Sequence, residues 1–290
     1  MLPRSSRLSL LPVLMAGIGL ARPGVAMCQD TLALHLPDSS AHSTTSSGER
    51  LFGKADVLAF TGAAVATAAI APFDRTVQRA MQARDVHDVG ALHTTANALA
   101  FVGGPGPFVG GGLLYVVGRT TNSERAATLG VTLTEGVTFA AVLNGLVKGF
   151  SGRELPNATT KDPGDFSFGR GFHDRNGAFV SFPSGHTAAS FAAATVVSEE
   201  VRVWNPSAAS VVTPTAYSLA TLVAISRLYQ NLHWASDLPL GAAIGVWSGK
   251  TVVHWQRHHP SNWLIRQLLD VSIIPSRNRL TITSSSLEAR

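Results

Sequence analysis

The chain contains little charge and almost no cysteine. Only 14% of its 290 residues are Asp, Glu, Lys or Arg, whereas a typical soluble domain has about 25%. So low a share excludes a disordered chain and a basic nucleic-acid-binding arm, because both need dense charge. The single cysteine, Cys28, excludes an internal disulfide and a cysteine metal cluster.

What the chain has instead is apolar content and a weak positive charge. Hydrophobic residues make up 45% of it, the mean hydropathy is +0.19, and the net charge is +5 with a pI of about 9.9. A chain of this length forms one domain, or at most two, with ample material for a core. Because the basic residues are scattered, they predict a mild attraction for phosphates or acidic lipid surfaces and no nucleic-acid partner.

The N-terminus has the pattern of a secretory signal. Arg4 and Arg7 precede an apolar run at residues 8–21, which is too short to span a bilayer comfortably. Small residues at the cleavage positions predict a signal peptide at residues 1–26, with an uncleaved anchor as the alternative. Residues 27–50, rich in Ser and Thr, are predicted to be a disordered linker. The signal places the mature protein in the periplasm or cell envelope, and an integral membrane protein is the alternative.

Apolar stretches separated by short polar breaks dominate the rest of the chain. No strand-like alternation persists in them, so they are predicted to be helices. We therefore expect an all-α helical bundle at residues 51–258, with about six core helices and an active site at helix ends. A polar C-terminal tail is expected at residues 259–290. The six stretches are residues 57–73, 89–118, 126–147, 186–198, 203–226 and 238–249.

Two features argue against six membrane crossings. Residues 186–198 and 238–249 are shorter than the roughly 20 apolar residues that a span needs. After signal cleavage, six crossings would also place the loop at residues 149–185 in the cytoplasm. The sequence therefore favours a periplasmic bundle with possible membrane association, and a polytopic protein remains the alternative. The Gly- and Pro-rich residues 103–107 predict a kink or break in the second helix.

Three polar segments stand at predicted helix ends. In the first, Lys148 and Arg153 close a nearly uncharged helix, where cations suit either the helix dipole or a bound anion. In the second, Ser184 can cap the next helix, and Gly185 lets a backbone N–H approach an anion closely. His186 follows directly, which adds a titratable group to this helix start.

The third segment contains Arg227, His233 and Asp237. The histidine and the carboxylate are four residues apart, so on a helical turn they share a face, and the carboxylate can fix the imidazole tautomer. Across the three segments, three cations, two histidines and one carboxylate stand out in a charge-poor chain. The cations suit a tetrahedral oxyanion, and the histidines suit the roles of nucleophile and acid.

These segments resemble the motifs of the type 2 phosphatidic acid phosphatase and vanadium haloperoxidase superfamily, which are K-x6-R-P, P-S-G-H and S-R-x5-H-x3-D. The second motif matches in full at residues 183–186, and the third matches in full at residues 226–237. Both lie in the family's order and at suitable separations. The resemblance covers roughly residues 55–256.

The first motif matches only in part. Lys148 and Pro156 are correctly spaced, but Leu155 stands where the motif arginine belongs. Arg153 occupies the place of the additional arginine in the frequent G-R-x-R-P version of the motif. Either Arg153 replaces the missing arginine, or phosphate affinity and rate fall.

The resemblance implies a mechanism. His233 would attack phosphorus and form a phosphohistidine, oriented by Asp237, while His186 would protonate the leaving oxygen and then help to activate water. No metal or cofactor is implied, because cations supply the charge stabilisation. The groups expected to hold the phosphoryl oxygens are Lys148, Arg153, Ser184, Gly185 and Arg227.

The function predicted on this basis is a phosphatase that hydrolyses a phosphomonoester or diphosphate. Its substrate would be a phosphorylated lipid or a small phosphate ester. A vanadate-dependent haloperoxidase and a non-catalytic phosphate- or lipid-binding member are the alternatives. Specificity is expected to lie in the loop at residues 149–185 and in the glycine-rich break at residues 103–112.

Overall fold

The computed structural model describes residues 52–158, 162–259, 271–276 and 279–284, the last two segments by their backbone alone. The predicted signal and linker lie outside these residues. The helices are α1 (Lys54–Ile70), α2 (Asp74–Met81), α3 (Arg84–His87), α4 (Gly90–Gly103), α5 (Gly106–Thr120), α6 (Glu124–Ser151), α7 (Gly185–Trp204), α8 (Pro206–Tyr229) and α9 (Leu238–His258). Two strands, β1 (Val271–Ser276) and β2 (Arg279–Ser284), form an antiparallel hairpin within the predicted tail.

The predicted all-α class is confirmed for the domain that precedes this hairpin. The six apolar stretches correspond to α1, the pair α4 and α5, and α6 to α9. The second stretch is broken where the Gly-Pro sequence predicts, because α4 ends at Gly103 and α5 begins at Gly106 with a bend of 56°. The short helices α2 and α3 were not predicted, and they follow α1 after a single 3-10 turn at Ala71–Phe73.

The core lies between α6, α7 and α9, with α7 in the centre. Small side chains on α7, such as Ala188 and Ala192, are fully buried and let its neighbours approach closely. Larger residues fill the remaining space, among them Val137 of α6, Val196 of α7 and Ile244 of α9. An alanine-rich central helix thus packs closely on its neighbours α6 and α9.

A row of glycines, Gly241, Gly245 and Gly249, brings α9 into backbone contact with α7. A Cβ on Gly241 would lie 2.6 Å from the carbonyl oxygen of Ser184, and one on Gly245 would lie 2.3 Å from that of Ala188. These separations are too short for any side chain. The glycine row therefore fixes the start of α9 against the start of α7, where the predicted site residues lie.

Several helices expose long apolar faces. Three stretches are long and apolar enough to cross a membrane, namely Lys54–Met81, α6 and α8, and the bent pair α4 and α5 adds a fourth if it counts as one span. Almost none of the first stretch is buried inside the protein. The exposed large side chains include Leu58, Phe101, Leu113, Val142, Val211 and Leu222.

These faces support a membrane protein, which was the alternative location. Among the described residues, only three helices, or four with the bent pair, meet the length and composition requirement for a span, so a membrane location does not require six crossings. The signal peptide and the periplasmic location remain predictions.

The glycine row yields a stability prediction. We expect Gly245→Ala to destabilise the protein by roughly 1–3 kcal/mol, because the new methyl group forces α9 away from α7. Gly62→Ala in α1 is the matched control, since a Cβ there meets nothing within 4 Å, and alanine favours a helix by up to about 1 kcal/mol over glycine. Thermal unfolding in detergent measures both effects, and a melting temperature for Gly245→Ala equal to that of the wild type would contradict the packing argument.

Candidate active site

Lys148 reaches the site from the C-terminal end of α6. The helix ends at Gly152, whose φ of +52° is left-handed and whose absent Cβ would lie 2.0 Å from the carbonyl oxygen of Ser167. This stop turns the chain into the long loop and leaves Lys148 in the last helical turn. Its ammonium group donates to the carbonyl oxygens of Val180 and Ser181, just before the second motif. Lys148 thus connects the first motif, to which it belongs, with the segment just before the second motif.

The second motif begins α7. The Ser184 hydroxyl caps the helix by accepting from the Thr187 backbone N–H at 3.4 Å and from the Thr187 hydroxyl at 2.8 Å. Gly185 lies beside Lys148, because a Cβ on it would make ordinary contacts with Nδ2 of Asn144 at 3.4 Å and with Cε of Lys148 at 3.6 Å. Since a helix N-terminus offers free N–H groups and a positive dipole end, this position suits an anion.

His186 lies in the first turn of α7, against the break between α4 and α5. A Cβ on Gly104 would lie 3.1 Å from the Nε2 atom of His186. Burial and, to a smaller extent, the charges of Arg227, His233 and Lys148 together lower the pKa of His186 to about 4. These three groups therefore lie near His186, although they are 38 to 47 residues away in sequence.

His233 and Asp237 form the predicted pair in the short connection from α8 to α9. The Nδ1 atom of His233 lies 3.4 Å from Oδ2 of Asp237, and both side chains are buried. Burial lowers the pKa of His233, while Asp237 opposes that shift. Burial alone would raise the pKa of Asp237, but the hydrogen bond from His233 and the charge of Arg153 bring it below its usual value. With Nδ1 directed at the carboxylate, Nε2 is the ring atom left for chemistry.

Arg227 ends α8 beside these groups. Its guanidinium donates to the side-chain oxygen of Gln230, and the Gln230 amide donates to the Asn97 oxygen of α4 at 2.8 Å. The Nε atom of Arg227 also donates to the Ser226 hydroxyl at 3.4 Å. Gln230 and Asn97 therefore hold the arginine in place, and neither was singled out in the sequence.

Arg153 is placed differently from the other predicted phosphate ligands. It is 2% exposed, and its guanidinium forms ion pairs with Asp237 at 2.5 Å and with Asp74 at 2.7 Å. It also donates to the Ser236 hydroxyl and twice to the carbonyl oxygen of Pro163. The structure thus joins Arg153 to the far side of Asp237 and gives it protein acceptors.

The loop that carries Arg153 is folded where it is described. Arg153 and Phe166 form a β-bridge, Leu155 donates its N–H to the Ala178 carbonyl, and Ser181 donates to the Arg153 carbonyl. Leu155, which replaces the motif arginine, brings no cation to the site. Arg170, another cation of this loop, lies over the Phe179 ring, with its Cζ atom 3.4 Å from the ring centroid.

Sequence reasoning missed Asp74, Ser181 and Ser236. Ser181 donates to Oδ2 of Asp237 at 2.5 Å, and Ser236 donates to Oδ2 of Asp74 at 2.5 Å. The signal for Asp74 was weak, being one carboxylate at the end of an apolar stretch. Among the predicted residues, Lys148 and Arg227 lie near the two histidines. The start of α7 lies next to these residues. The described residues contain no group of three or more His, Cys, Asp and Glu side chains arranged to hold a metal ion.

Comparison with known proteins agrees with this geometry. Residues 129–260 match the PAP2 superfamily model. A segment of 87 residues, 30% of this chain, is 41% identical to lipid A 1-phosphatase of Porphyromonas gingivalis, and it spans only 18% of that relative.

A crystal structure of a transmembrane PAP2 type phosphatidylglycerolphosphate phosphatase from Bacillus subtilis is also similar. It is 17% identical, with a TM-score of 0.49 over 70% of this chain and 96% of that one. The matched family region contains both complete motifs and every predicted site residue, from Lys148 to Asp237. The resemblance seen in the motifs is thus confirmed by a match to the PAP2 superfamily model over residues 129–260.

Proposed function

We propose that the protein is a phosphatase that removes a phosphoryl group from a membrane lipid phosphate. The observation that carries the proposal is a buried His233–Asp237 pair, 3.4 Å apart, with Lys148 and His186 near the imidazole and Arg227 near His186. Cations near two histidines suit an oxyanion, and the match of residues 129–260 to the PAP2 superfamily model agrees with this chemistry.

The proposed reaction proceeds in two displacements. The Nε2 lone pair of His233 attacks phosphorus, the bond to the leaving oxygen breaks, and His186 gives its proton to that oxygen. His186 then takes a proton from water as the water attacks phosphorus, the P–N bond breaks, and orthophosphate leaves. Asp237 stabilises the imidazolium that His233 becomes, and Lys148 and Arg227 stabilise charge on the phosphoryl oxygens.

A lipid leaving group is supported by the surroundings of His186. Because this residue protonates the leaving oxygen, the leaving group lies on its side of the site, beside Gly103 and Gly104. The helices that meet there expose apolar side chains, including Phe101 and Phe108. The 41%-identical relative is named for a lipid phosphatase activity, which agrees with a lipid phosphate as the substrate class.

The nucleophile is tested by replacing His233. We expect His233→Ala to lower kcat at least about a thousandfold, since the proposed covalent intermediate cannot form. His258→Ala is the control, because that histidine is exposed at the other end of α9, about 30 Å away along the helix. Release of phosphate from phosphatidate in mixed micelles measures turnover, and acid-labile labelling of the wild type measures the phosphohistidine. Substantial turnover by His233→Ala would exclude the assigned role.

The substrate class is tested by comparing two esters. We expect kcat/KM for phosphatidate in micelles to exceed that for soluble p-nitrophenyl phosphate at least tenfold, because the leaving-group side is apolar. Equal values would overturn the lipid preference and leave the phosphatase proposal intact. No phosphate release from either ester, or from a lipid diphosphate, would overturn the phosphatase proposal.

The pKa of His186 provides a third test. At a pKa of about 4, the imidazole is neutral at neutral pH and has no proton to donate. A phosphate anion between Lys148 and Arg227 favours the imidazolium and raises that pKa. We expect saturating inorganic phosphate to raise the pKa of His186 by at least about one unit, as measured by NMR titration of labelled histidine with His186→Ala for assignment. An unchanged pKa would contradict the placement of the phosphate beside His186.

A further inference from the structure

We propose that Asp74, Arg153 and Ser236 form a buried clamp that positions Asp237, and through it His233, and that Arg153 does not bind the substrate phosphate. The inference rests on the proposed function, because positioning matters only if His233 is the nucleophile. It assigns a role to Asp74, which lies outside the family-matched residues 129–260.

The hydrogen bonds of Arg153 carry the first step. A guanidinium has five N–H donors, and five contacts to protein oxygens are present. Nε donates to the Pro163 carbonyl at 3.0 Å, and the terminal nitrogens donate to that carbonyl, Asp74, Ser236 and Asp237 at 2.5–2.8 Å. A phosphate contact would therefore require one of these bonds to break.

Asp74 completes the clamp from the first turn of α2. Its Oδ2 accepts from Arg153 at 2.7 Å and from the Ser236 hydroxyl at 2.5 Å, and its Oδ1 accepts from the Ser236 backbone N–H at 2.9 Å. The residue is 1% exposed. Burying a carboxylate so deeply is costly unless a cation and hydrogen bonds accompany it, and Arg153 and Ser236 supply them.

The clamp acts on the orientation of the Asp237 carboxylate. Oδ1 accepts from Arg153, while Oδ2 accepts from the Ser181 hydroxyl, the Trp234 backbone N–H and His233. Because opposite oxygens are held by separate elements, the carboxylate cannot rotate away from the imidazole. If Arg153 is lost, Oδ1 is free to compete for the contacts of Oδ2, and the tautomer of His233 is no longer fixed.

The phosphate cradle is then smaller than the motif comparison implied. Lys148, Arg227 and the N–H groups at the start of α7 remain for the phosphoryl oxygens. Leu155 removes one arginine, and Arg153 does not replace it. The clamp therefore predicts effects on turnover, whereas a phosphate ligand predicts effects on affinity.

The test uses Asp74→Asn and Arg153→Lys in the full-length protein. The lysine keeps the positive charge but cannot bridge two carboxylates as a planar guanidinium does. Arg75→Lys is the matched control, because Arg75 directly follows Asp74 but forms an exposed ion pair, with Asp162 at 3.3 Å. The measurements are kcat and KM for phosphatidate, and the dissociation constant of orthovanadate from calorimetry.

We expect both clamp variants to lower kcat at least tenfold while KM and the vanadate dissociation constant change less than threefold. The acidic limb of the pH profile of kcat/KM should also shift, since this limb follows the ionisation of His233. The control should match the wild type in every measurement. Vanadate binding weakened tenfold by Arg153→Lys, or an unchanged kcat in both variants, would overturn the clamp.

Two further measurements cover failures of the variants or of the proposed function. If a buried-charge variant does not fold, Ser236→Ala still removes the hydroxyl shared by Arg153 and Asp74, and it should lower kcat without changing KM.

If the wild type hydrolyses no phosphate ester, the proposed function fails by itself. The clamp is then tested by 15N NMR of His233, whose ring signals should shift in Asp74→Asn and not in Arg75→Lys, and unshifted signals would overturn it.

Discussion

The site depends on keeping the Asp237 carboxylate charged inside a chain that has little charge. A buried carboxylate is costly unless it is paired and hydrogen-bonded, and Asp237 is fully buried. Four donors meet its oxygens, from Arg153, Ser181, Trp234 and His233. The loop after α6 and the connection before α9 must both fold correctly to supply these donors. The chemistry proposed for His233 is therefore tied to the correct folding of both segments.

Helix packing brings those segments together. Gly241 and Gly245 let α9 touch the backbone of α7, and at the same end the Ser184 backbone N–H donates to the Asp237 carbonyl at 3.0 Å. The second and third motifs are thus joined by a backbone hydrogen bond as well as by side chains. Because glycine packing determines that separation, small changes near the start of α9 reach the candidate site residues.

The sequence predicted the helices and most of the site because both are local patterns. The apolar stretches are continuous, and Ser184, His186 and Asp237 stand at fixed spacing within motifs. Arg153 was harder to interpret, since its sequence position allowed a phosphate contact and its partner Asp74 lies 79 residues away. Membrane association was also underestimated. Most of the charge-free runs in the sequence end before the helix to which they correspond, so they understate how far that helix extends. Only the structure shows which apolar faces remain exposed.

The directions of the helices explain how a site with so few charged side chains would hold a phosphate. Lys148 lies at the C-terminal end of α6 and Arg227 at that of α8, whereas α7 and α9 begin at the same place. The N-terminal ends already favour an anion, while the C-terminal ends would repel one. Each C-terminal end carries a cation that offsets its negative dipole, so all four ends are compatible with a phosphate. With Arg153 engaged by Asp74 and Asp237, two cations and the N-terminus of α7 are the means by which this site would hold a phosphoryl group.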